Sequence, residues 1–160
     1  PLGVVGVIVP WNFPLNLSLV PLTAIFAAGN RALVKMSENS RHLAQLLIKE
    51  MPAYFGADKL QFFDETGGVG VAFSKLPFDH LLFTGSGATG RAVMAAAAQN
   101  LCAVTLELGG KAPAVVCDDF DLRTAAERIL FVKCLNAGQI CTTVDHVFVP
   151  RAQEIGRAHV

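Results

Sequence analysis

The chain has 160 residues, about the length of one domain, and enough to bury roughly two thirds of the surface its unfolded form would expose. Hydrophobic residues make up 52% and charged residues 16%, against about 25% in an ordinary globular domain, which excludes intrinsic disorder. Lys plus Arg number 13 and Asp plus Glu number 13, so no net positive charge is available to hold a phosphate backbone or an anionic bilayer, and nucleic acid is not expected as a partner.

In chain order, Pro1 to Asn30 carry no charged side chain, which raises the question of a membrane span. Pro10, Pro14 and Pro21 interrupt the stretch, Asn12 and Asn16 would place amides in hydrocarbon, and no basic segment precedes it as in a signal peptide. It reads instead as buried strand, loop and buried helix, with no membrane segment. Gly3–Val9 is a strand apolar on both faces, as in a parallel sheet. A turn at Trp11–Pro14 leads to a buried helix over 16–28, closed by Gly29-Asn30. A short strand at 32–36 contains Lys35, and Ser40 caps a helix over 41–55. A strand at 60–63, a Gly-rich turn at Gly67, Gly68 and Gly70, a short helical stretch and a strand at 80–83 follow. A helix at 90–99, strand 103–107, turn Gly109-Gly110-Lys111, strand 112–117, helix 121–135, a polar loop to Cys141 and strand 145–149 complete the pattern.

This alternation predicts an α/β fold with a doubly wound, Rossmann-like parallel sheet and right-handed crossovers. Ligands of such sheets sit beyond the carboxyl ends of the strands. Asn12, Lys35 with Glu38, Gly85 with Ser86, and Glu107 all fall there.

Gly85 to Gly90 fits G-x-G-x-x-G between a strand and a helix, the pattern that lets backbone approach a pyrophosphate, or else a plain strand-to-helix turn. Glu107, 17 residues beyond Gly90, could take the ribose-binding role of a conventional dinucleotide fold; Lys35 and Glu38 compete for it. Of four cysteines, with no C-x-x-C pair to suggest zinc, Cys102, Cys117 and Cys134 lie in apolar patterns and read as buried small hydrophobes. Cys141, in the polar loop Asn136–Cys141, suits an accessible nucleophile. Glu107 stands between Leu106 and Leu108, a frame suiting a general base of raised proton affinity, or else an ion pair with Lys111. Asn12 could donate to a developing oxyanion or close its own turn. His42, His80, His146 and His159 have no partner at metal-ligand spacing, so no metal is expected, and Asp64-Glu65 and Asp118-Asp119 read as solvated turns or a helix cap.

Taken together, Pro10–Pro14, Lys35–Glu38, Phe83–Ser86, Leu106–Lys111 and Asn136–Cys141 resemble the aldehyde dehydrogenase superfamily, in the family's order and over nearly the whole chain. The block at 76–86 is most similar to the branch of coniferyl aldehyde dehydrogenases and class 3, fatty-aldehyde-like enzymes. The resemblance implies Cys141 as nucleophile, Asn12 with the Cys141 backbone N–H as oxyanion donors, and Glu107 as the base that activates water. It further implies a cofactor site of Ile8, Val9, Pro10, Trp11, Lys35, Ser37, Glu38, Phe83, Gly85, Ser86, Leu108 and Gly109. Within it Lys35 and Glu38 hold the adenosine ribose and Ser86 meets the pyrophosphate, so the G-x-G-x-x-G match is partly accidental. Glu38 would repel a 2′-phosphate, which favours NAD, with NADP open. A small-molecule aldehyde substrate and a homodimeric or homotetrameric parent enzyme complete what it implies; four cysteines, too sparse for a disulfide scaffold and expected as reduced thiols, point separately to a cytoplasmic location.

The same resemblance divides the chain into part of a cofactor-binding domain (1–110) and the start of a catalytic domain (111–153), an incomplete piece expected to be inactive or poorly folded alone; residues 154–160, which continue no strand or helix from Pro150, read as a non-native tail. Two departures stand out: the turn Thr66–Gly70 is short, and Thr142–His146 differs from the branch's usual pattern. An acylating, coenzyme A-dependent relative is the competing enzyme reading, against which the presence of Glu107 argues; a non-catalytic nucleotide-binding relative is the other.

Overall fold

A computed structural model describes residues 1–66 and 69–153, so Gly67, Gly68 and the tail at 154–160 lie outside the described residues. The chain forms two compact units, Pro1–Leu108 and the residues from Gly109 on.

The first unit is a five-stranded sheet of β1 (Val4–Ile8), β2 (Arg31–Lys35), β3 (Leu60–Phe63), β4 (His80–Gly85) and β5 (Ala103–Leu108), in the order β3-β2-β1-β4-β5. Every pairing is parallel, as the strands' apolar runs predict. The connections carry α1 (Pro14–Ala27), α2 (Arg41–Glu50), α3 (Val69–Phe73) and α4 (Gly87–Ala98). Strand order reverses direction between β1 and β4, so a crevice opens at the carboxyl ends of these two strands.

The pleat divides the core. Val5, Val7, Val34, Met36 and Phe62 pack with Leu22 and Ile25 of α1 and Ala44 and Leu47 of α2. Leu81 and Phe83 pack with Phe73, Phe78, Val93 and Ala97, joined by Val4 and Ile8 of β1. Alternate β1 residues thus serve opposite clusters, which is why that strand reads as apolar throughout.

Several boundaries differ from the sequence expectation. Helix α1 is not wholly buried: Ser18, Leu22 and Ile25 form one inward stripe, whereas Val20 is 62% exposed, because a helix on one face of a sheet has only one side to bury. It does end as expected, with Gly29 at φ +78° and Gly29 and Asn30 N–H groups donating to Phe26 and Ile25 carbonyls at 2.9 and 3.0 Å. Ser40 makes no capping hydrogen bond; a 3₁₀ turn over Glu38–Ser40 precedes α2, and Ser37 caps that turn by accepting from Asn39 N–H at 3.3 Å. Helix α2 stops at Glu50, just before a 3₁₀ turn containing Pro52. Helix α4 starts at Gly87, since the Ser86 hydroxyl accepts from Thr89 N–H at 3.2 Å, so two of the three motif glycines lie inside the helix.

The second unit is a parallel pair, β6 (Ala112–Val115) and β7 (Val144–Phe148), linked through α5 (Leu122–Cys134). Asp121 caps α5, accepting from Thr124 N–H at 2.8 Å. Cys117 and Cys134 are exposed here rather than buried, and Phe131 is 71% exposed, because two strands and one helix enclose little volume. Cys102, in the first unit, is half-buried, and burial pushes its thiol pKa up. Among the described residues no helix is long and apolar enough to cross a membrane.

Between α5 and Cys141 three consecutive residues are left-handed: Asn136 at φ 50°, Ala137 at φ 55° and Gly138 at φ 78°. Such a backbone costs a non-glycine residue roughly 1–2 kcal/mol. A Cβ on Gly138 would also stand 3.2 Å from the Lys133 carbonyl oxygen. Gly138→Ala is therefore expected to destabilise the unit by about 1–2 kcal/mol, and Ala137→Gly to change stability by less than about 1 kcal/mol, as measured by urea unfolding followed by circular dichroism.

Candidate active site

The parallel sheet carries most of the predicted residues to one edge. β1 ends at Ile8; Val9, buried, still donates its N–H to the Lys35 carbonyl at 3.0 Å, and Pro10 then stops the ladder. The turn that follows holds Trp11, 47% exposed, and Asn12, half-buried, before Pro14 opens α1. Asn12 thus sits in non-helical backbone between two prolines, at the carboxyl end of the central strand.

Lys35, the last residue of β2, is only 6% exposed, and a buried ammonium must find a carboxylate. It finds Glu65, whose Oε2 is in direct ion-pair contact with Lys35 Nζ, and Glu38, whose Oε2 lies 3.9 Å away. Glu65 Oε1 accepts the Gly70 N–H at 3.1 Å. A Cβ at position 70 would come within 2.9 to 3.2 Å of the Glu65 carboxylate and the Lys35 ammonium, so glycine makes room for the pair. The sequence reading of Glu65 as a solvated turn residue is thereby corrected. No local pattern signals the pair: it arises because Lys35 is opposite Phe63 in the β2–β3 register, which brings the residue two beyond the strand alongside the ammonium.

Ser37, Glu38, Arg41, Asp64, Glu65 and Thr66 line a cavity of about 320 Å³ beside this pair, within the range of small-molecule sites. Asp64 is held below the ordinary carboxylate pKa by hydrogen bonds from Thr66, side chain first and backbone second, with a lesser contribution from Arg41.

At the end of β4, Phe83 turns its ring into the core, so it offers the edge only backbone. Gly85 closes the strand, and Ser86 caps α4 with its hydroxyl 2.9 Å from that of Thr89. The N–H groups of Gly87 and Ala88, first in α4, have no partner within the helix. Glu107 and Leu108 end β5, opposite Thr84 and Gly85. Glu107 is exposed rather than framed by its leucine neighbours, since Leu106 faces the core and the pleat turns Glu107 the other way. The alternative partner, Lys111, bonds Asp145 Oδ1 at 2.9 Å within the second unit, and this holds the Asp145 carboxyl below its usual pKa.

In the second unit Cys141 is exposed. It lies in a turn closed by Thr143 N–H on the Ile140 carbonyl at 3.1 Å, and Gly110 approaches closely enough that a Cβ there would stand 3.3 Å from the Cys141 carbonyl oxygen. Gly109, the first residue of the unit, is open around its Cα. Among the described residues no cluster of three His, Cys, Asp or Glu side chains could hold a metal ion.

Comparison with known proteins fits this edge. The sequence model of the Aldehyde dehydrogenase family matches residues 1–154. A coniferyl aldehyde dehydrogenase of Pseudomonas sp. is 51% identical over 150 residues, covering 94% of this chain and 31% of the relative. An aldehyde dehydrogenase of Rattus norvegicus named as dimeric and NADP-preferring is 46% identical over 149 residues, 92% of this chain and 32% of the relative. The crystal structure of a Mycobacterium tuberculosis aldehyde dehydrogenase complexed with NAD+ superimposes with a TM-score of 0.87 at 34% identity, over 96% of this chain and 32% of that one. The chain thus spans about a third of the length of the relatives it matches. With the strand order, the edge residues and the match over 1–154 in agreement, the chain belongs to the aldehyde dehydrogenase family.

Proposed function

We propose that this chain carries the nucleotide site and the nucleophile of an NAD-dependent oxidation of an aldehyde to a carboxylic acid. The observation that carries the reading is the gathering of Asn12, Lys35, Glu38, Ser86 and Glu107 at one carboxyl edge of a parallel sheet in a member of this family. In this reading Pro1–Leu108 is the cofactor-binding part and the residues from Gly109 on begin the catalytic part.

The edge fits a dinucleotide on its own chemistry. An ammonium at Lys35 and a carboxylate at Glu38 offer a donor and an acceptor to vicinal ribose hydroxyls beside the cavity. Ser86 and the N–H groups of Gly87 and Ala88 offer a pyrophosphate the start of a 12-residue helix. Ile8, Val9, Pro10, Trp11, Ser37, Phe83, Gly85, Leu108 and Gly109 would line the path between these ends. Bound NAD+ supplies a hydride acceptor, so that aldehyde and water become carboxylic acid with reduced cofactor and a proton.

The Cys141 thiolate adds to the aldehyde carbon, forming a C–S bond and placing negative charge on oxygen. The Asn12 amide and the Cys141 backbone N–H donate to that oxygen. Loss of hydride from the same carbon leaves a thioester on Cys141. Glu107 takes a proton from water as the water oxygen attacks, the C–S bond breaks to return the Cys141 thiolate and release the acid, and the proton on Glu107 passes to solvent. A carboxylate at position 107 supports hydrolysis over transfer to coenzyme A. Similarity to the coniferyl aldehyde dehydrogenase supports an aromatic aldehyde of that kind as substrate. Glu38, with its side chain 63% exposed, supports NAD over NADP by repelling a 2′-phosphate; the NADP-preferring relative means that family membership alone does not decide between them.

In the longest polypeptide that carries this chain, assayed with NAD+ and coniferyl aldehyde, Cys141→Ala is expected to abolish thioester formation. Glu107→Gln is expected to keep the initial burst of NADH while steady turnover falls by about 10²-fold or more; equal loss of the burst in both variants would contradict these roles. Asn12→Ala is expected to lower kcat by about 10²- to 10³-fold, the usual effect of removing one oxyanion donor.

A further inference from the structure

We propose that Glu65, acting with Glu38, closes the adenosine-ribose end of the dinucleotide site to a 2′-phosphate and so selects NAD over NADP. The inference rests on the nucleotide-site reading above and deepens it. Glu65 is held in place twice, by the Lys35 ammonium at Oε2 and by the Gly70 N–H at Oε1, 3.1 Å away. Lys35, the buried cation behind Glu38 and Glu65, is thereby answered by one carboxylate before Glu38 is counted. Around this space Lys35 and Arg41 stand against Glu38, Asp64 and Glu65, two positive charges against three negative. Arg41, the cation best placed to receive a phosphate, has Asp64 near enough to lower that carboxyl's pKa. A ribose diol brings two O–H donors and no charge, which acceptor-only carboxylates can satisfy. A 2′-phosphate brings a charge of about −1.5 to −2 and presents acceptors to acceptors. The fixed position of Glu65 means that this repulsion cannot be relieved by a simple rotation of its side chain into solvent.

The test is equilibrium binding of NAD+ and NADP+ by titration calorimetry, on the longest polypeptide that carries the chain. The unaltered protein is expected to bind NAD+ at least tenfold more tightly than NADP+. Glu65→Gln keeps the shape of the side chain and an oxygen for Lys35, and is expected to narrow that ratio about tenfold, chiefly through tighter NADP+; Glu65→Asp is expected to leave it within about threefold. Should circular dichroism show that Glu65→Gln does not fold, Gly70→Ala reads the same quantity, since its methyl group displaces the Glu65 carboxylate and must also narrow the ratio. A protein that binds NAD+ but whose ratio is unmoved by these substitutions overturns the role of Glu65 alone. Equal affinity for the two cofactors in the unaltered protein does the same. A protein that binds neither overturns the nucleotide site itself, and this inference with it.

Discussion

Ile8 stands opposite Lys35 on one side and Phe83 on the other, and this double register of the central strand determines where everything else lies. Because both neighbours run parallel to β1, the loops after Ile8, Lys35 and Gly85 all emerge at the same edge. A parallel strand can reach its neighbour only by a crossover, so each of these loops is also the start of a helical connection. That is why a proline-bounded turn, a serine-capped 3₁₀ turn and a serine-capped helix N-terminus are found side by side, though tens of residues separate them in the chain. Slipping one strand by a residue would turn Val5 and Val7 out of their core cluster, so the geometry of the edge is secured by the packing beneath it.

Lys35 shows how that packing and the edge depend on each other. Its stem continues the apolar interior of β2 while its head needs charge at the surface of the crevice. Leaving such an ammonium without a carboxylate would cost several kcal/mol. The partner comes from the loop after β3, so the ion pair ties a flanking strand's loop to the end of β2. The cavity beside it is therefore walled by charge in a chain that has little charge overall.

The strands, helices and their alternation were legible because they depend on local pattern, apolar runs and Gly29 at a helix end, although Pro14, which opens α1, and Pro52, just past the end of α2, were read through. Asn12, Lys35, Glu38, Ser86 and Glu107 were legible as strand-end residues for the same reason, and the roles proposed for them come from the family motifs alone. Glu65 was not, because its partner is 30 residues away and only sheet order makes them neighbours. The exposure of Cys117, Cys134 and half of α1 was not legible either: apolar composition states what a residue would bury against, not whether anything lies there. The true start of α4 was hidden by a glycine pattern that suggested a loop, where a single serine hydroxyl had already opened the helix.

The three left-handed residues ahead of Cys141 bear on the timing of an entropic cost. A chain reversal through Asn136, Ala137 and Gly138, fastened by Gln139 N–H on the Asn136 carbonyl at 3.1 Å, has few neighbouring conformations into which it can drift. The backbone leading to Cys141 is thus restricted when the polypeptide folds, and under the proposed role of that residue part of the ordering needed to bring two reacting atoms together is taken before any small molecule arrives. Less ordering of the main chain then remains for the collision itself to accomplish.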